Sequence, residues 1–308
     1  MKYATRTLTV FLLSSLVLVS ACDLTRFAAN STSKVFGEAA PALERFFDYE
    51  IAMSAAPGQI AQLEGMLRIV PDNRIYIMTA IRAYCAYAYG SAEDAADQYE
   101  VEGDYEASEL NRDRAKLLYL RARDLGFHYM SLDHEGREEA MAGGMDTFAA
   151  WLEREFVEPE DAAILLWTGY GWGSAINSAK NDLSLVPDIP YAEAMVQRAV
   201  DLEESVSNYA GVTFLATVQS SSMSGNLERA LELWNTALEG TERRYLLIQF
   251  NMARSYAVRT QDRALYISLL REVLEAGDIF PEQRLANLIA KRKALRALRL
   301  VDELFAPN

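Results

Sequence analysis

The placement of eight prolines constrains this 308-residue chain more than any other feature. Pro41, Pro57, Pro71, Pro159, Pro187, Pro190, Pro281 and Pro307 read as helix starts or as breaks between periodic segments. Inside a helix a proline lacks an N–H and crowds the carbonyl four residues back, at a cost of about 3 kcal/mol. Long stretches without it therefore favour helix, and no alternating β-branched run argues for a sheet. Residues 38–308 are expected to form one all-α domain.

Pro71-Asp72-Asn73 opens a helix predicted to reach about Tyr89. Arg112 to Gly126 puts Leu118, Ala122 and Leu125 on one face, with Gly126 as a terminal cap. Further helices are predicted over 158–181, 190–206, 209–222, 226–239, 243–259, 262–276 and 281–305. Short connections between them suggest helix pairs. Gly225-Asn226-Leu227-Glu228-Arg229-Ala230, followed by Trp234 and Ala237, matches the second helix of a tetratricopeptide repeat. There the Gly-Asn turn starts the helix and the small alanines and an aromatic fill the groove of the pair. Phe214 suits the large position of the preceding helix, and Asp262 to Leu274 reads as a more degenerate copy. The expected architecture is a degenerate tetratricopeptide-like helical repeat, an α-solenoid or bundle.

The first residues have another purpose. Lys2 and Arg6 precede an apolar run from Leu8 to Val19, too short to span about 30 Å of hydrocarbon as a helix but suited to a secretory signal. Leu18-Val19-Ser20-Ala21-Cys22 resembles a lipobox, with small residues before a cysteine whose thiol accepts diacylglycerol. Residues 1–21 are therefore expected to be a lipoprotein signal peptide. Residues 22–37 are expected to be a lipidated tether with weak structure, held by several acyl chains on Cys22. Cleavage would remove 21 residues and two positive charges from a chain of 308 residues and formal charge −14, leaving 287 residues and −16. So acidic a surface repels phosphate backbones, which argues against nucleic acid as a partner. With Cys22 lipidated, Cys85 has no intramolecular partner and is expected to pack as a small hydrophobe.

The segment Ala163 to Ser174 contains Trp167-Thr168-Gly169-Tyr170-Gly171-Trp172-Gly173-Ser174. It is not a phosphate loop, because Ser174 stands at the last glycine position and aromatic side chains crowd the turn. Three glycines in a helix cost about 1 kcal/mol each, so something must approach the backbone closely. That could be a neighbouring helix, with the aromatics in the core. Alternatively Trp167, Tyr170 and Trp172 line a cavity, with Asn177, Lys180 and Asn181 as polar contacts for a small ligand.

Other chemistry finds little footing. His128 and His134, the only histidines, fall in an expected acidic loop, and no metal set or nucleophile elbow is visible. No catalytic residue is expected. Glu93 to Glu106 reads as a solvated face or mobile loop. The C-terminal helix is basic, through Arg284, Lys291, Arg292, Lys293, Arg296 and Arg299, and reads either as a cap whose cations pair internal carboxylates or as a contact for an acidic partner.

Several ordered segments resemble one family, the TRAP-transporter-associated tetratricopeptide proteins (the TatT component family). They are Leu63-Glu64-Gly65-Met66-Leu67 with Pro71-Asp72-Asn73, Arg114 to Arg123, Leu166-Trp167-Thr168 with Trp172 to Ile176, Asp262 to Tyr266, and Leu285 to Ala294. The resemblance implies a non-enzymatic, periplasm-facing lipoprotein of the cell envelope with a helical-repeat body. It also implies association with the periplasmic solute-binding protein of a TRAP transporter, homo-oligomers such as a trimer, and a cavity for a small, hydrophobic ligand. The acyl lipid on Cys22 would be its only attached group. The rival expectation is a repeat scaffold for assembly of envelope proteins.

Overall fold

Side-chain caps fix where the main helices begin. Asp48, Asn73, Asp104, Asn226 and Asp262 each accept from the backbone N–H three residues on, at 2.8–3.1 Å. Such caps are worth about 1 kcal/mol apiece and satisfy a donor that the helix itself cannot. The computed structural model describes residues 24–179, 183–221 and 225–305, and no strand occurs among them. The signal peptide, Cys22, Lys180, Asn181 and Pro307 lie outside the described residues.

The chain begins with α1 (24–39), a short α2 (Pro41–Glu44) and α3 (Tyr49–Ile69). Next come α4 (Arg74–Tyr87), a π-helical turn (Ala88–Ala92) and α5 (Glu93–Glu102), continuous in the chain. They return through α6 (Tyr105–Ser131). Two helices, α7 (Arg137–Ala142) and α8 (Met145–Glu155), interrupt the pattern before α9 (Ala162–Ser178) and α10 (Ile189–Leu202). The pairs α11 (Val206–Ser221) with α12 (Leu227–Gly240), and α13 (Leu247–Met252) with α14 (Arg263–Glu275), follow. A second π turn (Ala253–Ala257) extends α13. The chain closes with α15 (Arg284–Ala297) and α16 (Val301–Leu304).

The helical-repeat expectation holds, and the predicted repeat residues do the packing. Ala230, Trp234 and Ala237 are fully buried, and Trp234 Nε1 donates to Ser220 Oγ at 3.1 Å, tying α12 to α11. Gly169 meets Val196 and the Ala192 carbonyl of α10, and Gly171 lies against the Tyr119 backbone of α6. The glycines of α9 therefore serve close helix packing. Burial of so many apolar side chains at roughly 25 cal/mol per Å² is what holds the pairs together.

Four local expectations need correction. Residues 24–37 are not weakly structured: α1 docks on α4, with Ala29 and Ser33 buried, Tyr76 Oη donating to the Ala29 carbonyl at 2.9 Å, and Phe36 edge-on to Tyr76. Pro57 stands inside α3, not at its start. Its ring is exposed, and its missing N–H removes the helical donor that would reach the Met53 carbonyl. Gly126 is not a cap; α6 runs five residues past it, and a Cβ there would lie 2.0 Å from Thr168 Oγ1, so it lets α9 cross closely. Glu93 to Glu106 is helical rather than a loop over most of its length. Although residues 98–106 are exposed, its first turn is not a solvated face, because α5 places Asp94 and Asp97 against α15.

Candidate functional site

In four hairpins the first helix faces inward, α4–α5, α9, α11 and α13 with its π turn, and α15 follows them as a fifth inner helix. Cross-contacts show that they run in the same sense. Near their starts, Trp167 Nε1 of α9 donates to Ser207 Oγ of α11 at 3.1 Å, and Glu44 joins Arg82 of α4 to Gln283, just before α15. Halfway along, Tyr89 Oη donates to Asn251 Oδ1 at 3.2 Å. Near their ends, Ser178 Oγ of α9 donates to Glu93 Oε1 at 3.3 Å, and Lys293 Nζ of α15 lies 3.2 Å from Asp97 Oδ2. Because α15 thus returns to α5, the row of hairpins closes on itself around a cavity of about 850 Å³.

The cavity wall is graded along its length. At one end stand Glu44, Arg82, Trp167, Ser207, Asn208 and Tyr245. Ser207, Asn208 and Tyr209 have φ of 53°, 58° and 61°, a left-handed run before the regular right-handed turns of α11 begin. Such backbone is strained for residues other than glycine and tends to persist where neighbouring structure over-determines it. The middle is aromatic and aliphatic: Tyr89, Tyr119, Tyr170, Phe214, Phe250 and Ile289, with Cys85. Both π turns contribute here, through Tyr89 on one and Arg254 and Ser255 on the other. At the far end Glu93, Asp97, Lys293, Arg254, Ser178 and Asn177 enter the wall.

The far end is a charge cluster. Asp94 accepts Arg292 Nε at 2.8 Å and also Arg296, and Arg292 reaches Glu50 at 3.1 Å. Burial alone would raise Asp94 and Asp97; Arg296 and Lys293 for the first, and Lys293 and Arg254 for the second, hold them below the usual carboxylate range. Glu93 is different. Burial pushes its carboxyl up, and Asp97 adds to that, against Lys293 and the hydroxyls of Tyr119 and Ser178. Burial likewise raises Glu193, half-buried in the wall, and the Cys85 thiol.

Glu93→Gln is therefore expected to raise the melting temperature at pH 8. Because its folded carboxyl titrates above the unfolded one, wild-type stability falls as pH rises from the unfolded value, a loss that glutamine does not suffer. The gain should shrink as pH falls below the ordinary 4.5, where the group becomes neutral in both states. An equal gain at both pH values would show that the folded carboxyl is not raised above its unfolded value.

The sequence-based candidates divide. Trp167, Tyr170 and Asn177 line the cavity. Trp172 does not; it is 1% exposed, with Nε1 3.2 Å from Asp188 Oδ2 and its ring packed on Phe127 and Tyr191. Lys180 and Asn181 fall in the undescribed connection. His134 sits against Phe156 and 3.4 Å from Glu155, and His128 bonds the Pro71 carbonyl and Asp72. Among the described residues no group of three metal-ligand side chains is assembled, and no helix is long and apolar enough to cross a membrane.

Sequence reasoning missed Arg82, Phe214 as a cavity residue, Tyr245, Arg254 and the placement of Lys293. Phe214 faces Gly173, where an added Cβ would lie 2.5 Å from the ring, so the glycine leaves room for it. That glycine was visible, but its partner was not. A family model described as TRAP transporter T-component matches residues 47–305, a span that takes in every cavity-lining residue except Glu44. No curated protein matches the chain.

Proposed function

The chain belongs to the TRAP transporter T-component family, and from that premise we propose that it holds or passes a small organic ligand in its central cavity. It would do so while docked on the periplasmic solute-binding protein of a TRAP system. The observation that carries this reading is the cavity itself, of about 850 Å³, with an aromatic middle and polar ends. Its volume falls within the roughly 300–1,000 Å³ of typical small-molecule sites, and mostly apolar walls with a few placed polar groups are what such sites use. The body would be tethered by diacylglycerol and acyl chains on Cys22, facing the periplasm, and would work as a homo-oligomer, a trimer being the form the family resemblance suggests. No catalytic step enters this mechanism. Aromatic faces hold the apolar part of the ligand, and the hydroxyl, amide and charged groups at the ends orient it.

Two experiments test the proposal. The dye 1-anilinonaphthalene-8-sulfonate should bind the native protein with a blue-shifted emission. Thr217→Trp, which fills the cavity from α11, should weaken that binding about tenfold or more with an unchanged far-ultraviolet spectrum. Equal dye binding by the variant would remove the cavity as the ligand site. Crosslinking in native membranes followed by proteomics should recover a periplasmic solute-binding protein. Recovery of outer-membrane assembly factors alone would instead favour the scaffold reading.

A further inference from the structure

Helix α1 has two opposed faces, and only one is used by the body. Ala29 and Ser33 are buried against α4, and Asn73 Nδ2 donates to Asn30 Oδ1 at 2.8 Å, which fixes the helix rotationally. With about 100° per residue, Leu24, Ser31 and Val35 fall within about 40° of one another, on the side opposite Ala29 and Ser33. Leu24 is 68% exposed, Phe27 68% and Val35 63%, and Ala28 is exposed beside them. A stripe of large apolar side chains held rigidly outward is costly in water and calls for a cover.

We infer that this stripe lies in the surface of the lipid bilayer, giving the protein a second, non-covalent membrane attachment that fixes how the body stands on the membrane. The inference rests on the lipid anchor at Cys22 in the proposed function. Leu24 follows Cys22 by two residues, at most about 7 Å of extended chain, so the acyl chains enter the bilayer at the foot of the stripe. Of the two exposed cations on α1, Lys34 flanks the stripe, where it can meet phosphate headgroups, and Arg26 lies on the far side. The exposed carboxylate Glu38 falls on the stripe's side only at its end, three residues past Val35 and farthest from Cys22. A second copy of the chain is a poorer cover. Three such side chains expose only a few hundred Å², against about 800 Å² per partner in a stable interface.

The test places spin labels on single cysteines at Phe27→Cys and Val35→Cys, with Glu228→Cys on α12 as the aqueous reference. Cys85 is buried and does not compete for label. Lipidated protein purified from membranes is reconstituted into phosphatidylethanolamine–phosphatidylglycerol vesicles, and collisions with oxygen and with an aqueous nickel chelate are compared. Labels at 27 and 35 should favour oxygen about threefold or more, consistent with a depth of about 5–10 Å, and the reference label should favour nickel. The same labels on the unlipidated Cys22→Ser protein in solution should be open to nickel. Nickel access at 27 and 35 on vesicles, with the acyl mass present on the N-terminal peptide, overturns the inference and leaves the anchor intact. Protection already present in the soluble variant overturns it in favour of a second copy. Absence of the acyl mass defeats the anchor, and the inference falls with it.

Discussion

Trp172→Ala is expected to lower the free energy of unfolding by about 3–5 kcal/mol while leaving dye binding in the cavity unchanged. The side chain is 1% exposed and fills the junction of α9 with Phe127 of α6 and Tyr191 of α10, at centroid distances of 5.2 and 6.1 Å. Its removal opens a void that backbones already in contact at Gly169 and Gly171 cannot close by moving nearer. It also leaves Asp188 without its indole donor. Trp167→Ala, five residues earlier and half-buried, should show the reverse pattern: a smaller loss of stability and weaker dye binding, because its indole is part of the cavity wall. Urea unfolding and dye titration on both variants decide the matter. Lost dye binding with a stability loss below about 1 kcal/mol for Trp172→Ala would move that residue from the core to the site.

The second large effect is expected at the closure between α5 and α15. Asp94→Ala should cost about 3 kcal/mol at pH 7, because it strands Arg296, whose side chain is 12% exposed, beside a vacated carboxylate site. Arg292, at 39% exposed, contributes less because water screens it. The Asp94 carboxyl is held below its ordinary 3.8, so its contribution is fully present above that pH and is lost as pH falls through the lower folded value. The gap between wild type and variant in urea unfolding should therefore persist from pH 8 to pH 5 and narrow below pH 3.8. A gap that disappears at 1 M salt and pH 7 would show that the pair is open to solvent.

These two sites also show what the sequence made legible. The capping residues Asn73, Asn226 and Asp262 and the repeat residues Ala230, Trp234 and Ala237 were readable because their signals are local: a short polar side chain before a periodic run, and small residues at fixed spacing. The basic C-terminal helix was readable as a partner for internal carboxylates, and Arg292, Lys293 and Arg296 do pair with Asp94 and Asp97. Which carboxylates they meet was not, since the partners lie about 200 residues away in the chain, and α5 in isolation looks like a solvated acidic stretch. Helix α1 was missed for a different reason. Its buried face is built mainly from the small Ala29 and Ser33, with Phe36 packed on Tyr76, while Leu24, Phe27 and Val35 point outward, so hydrophobic periodicity gives little sign of a core-facing side. The cavity was half legible. Gly169, Gly173 and their aromatics marked α9 as closely approached, but the wall is assembled from four hairpins and α15. Tyr245, Arg254 and Phe214 join Trp167 and Tyr170 in one wall only when α15 returns to α5.

The common sense of the five inner helices has one more consequence. Peptide dipoles in neighbouring helices that run alike add along the cavity axis, whereas in an alternating bundle they cancel. The outer helices run the other way but stand about 8–10 Å further from the axis. The Glu44–Arg82 end thus lies toward the positive, N-terminal ends of the ring, and the Asp97–Lys293 end toward its negative, C-terminal ends. Lys293 and Arg254 sit where the carbonyl ends gather and partly offset that charge. The two ends of the cavity are electrically unlike, so a polar guest would meet a built-in direction, its electronegative end favoured toward Arg82 and its electropositive end toward Asp97.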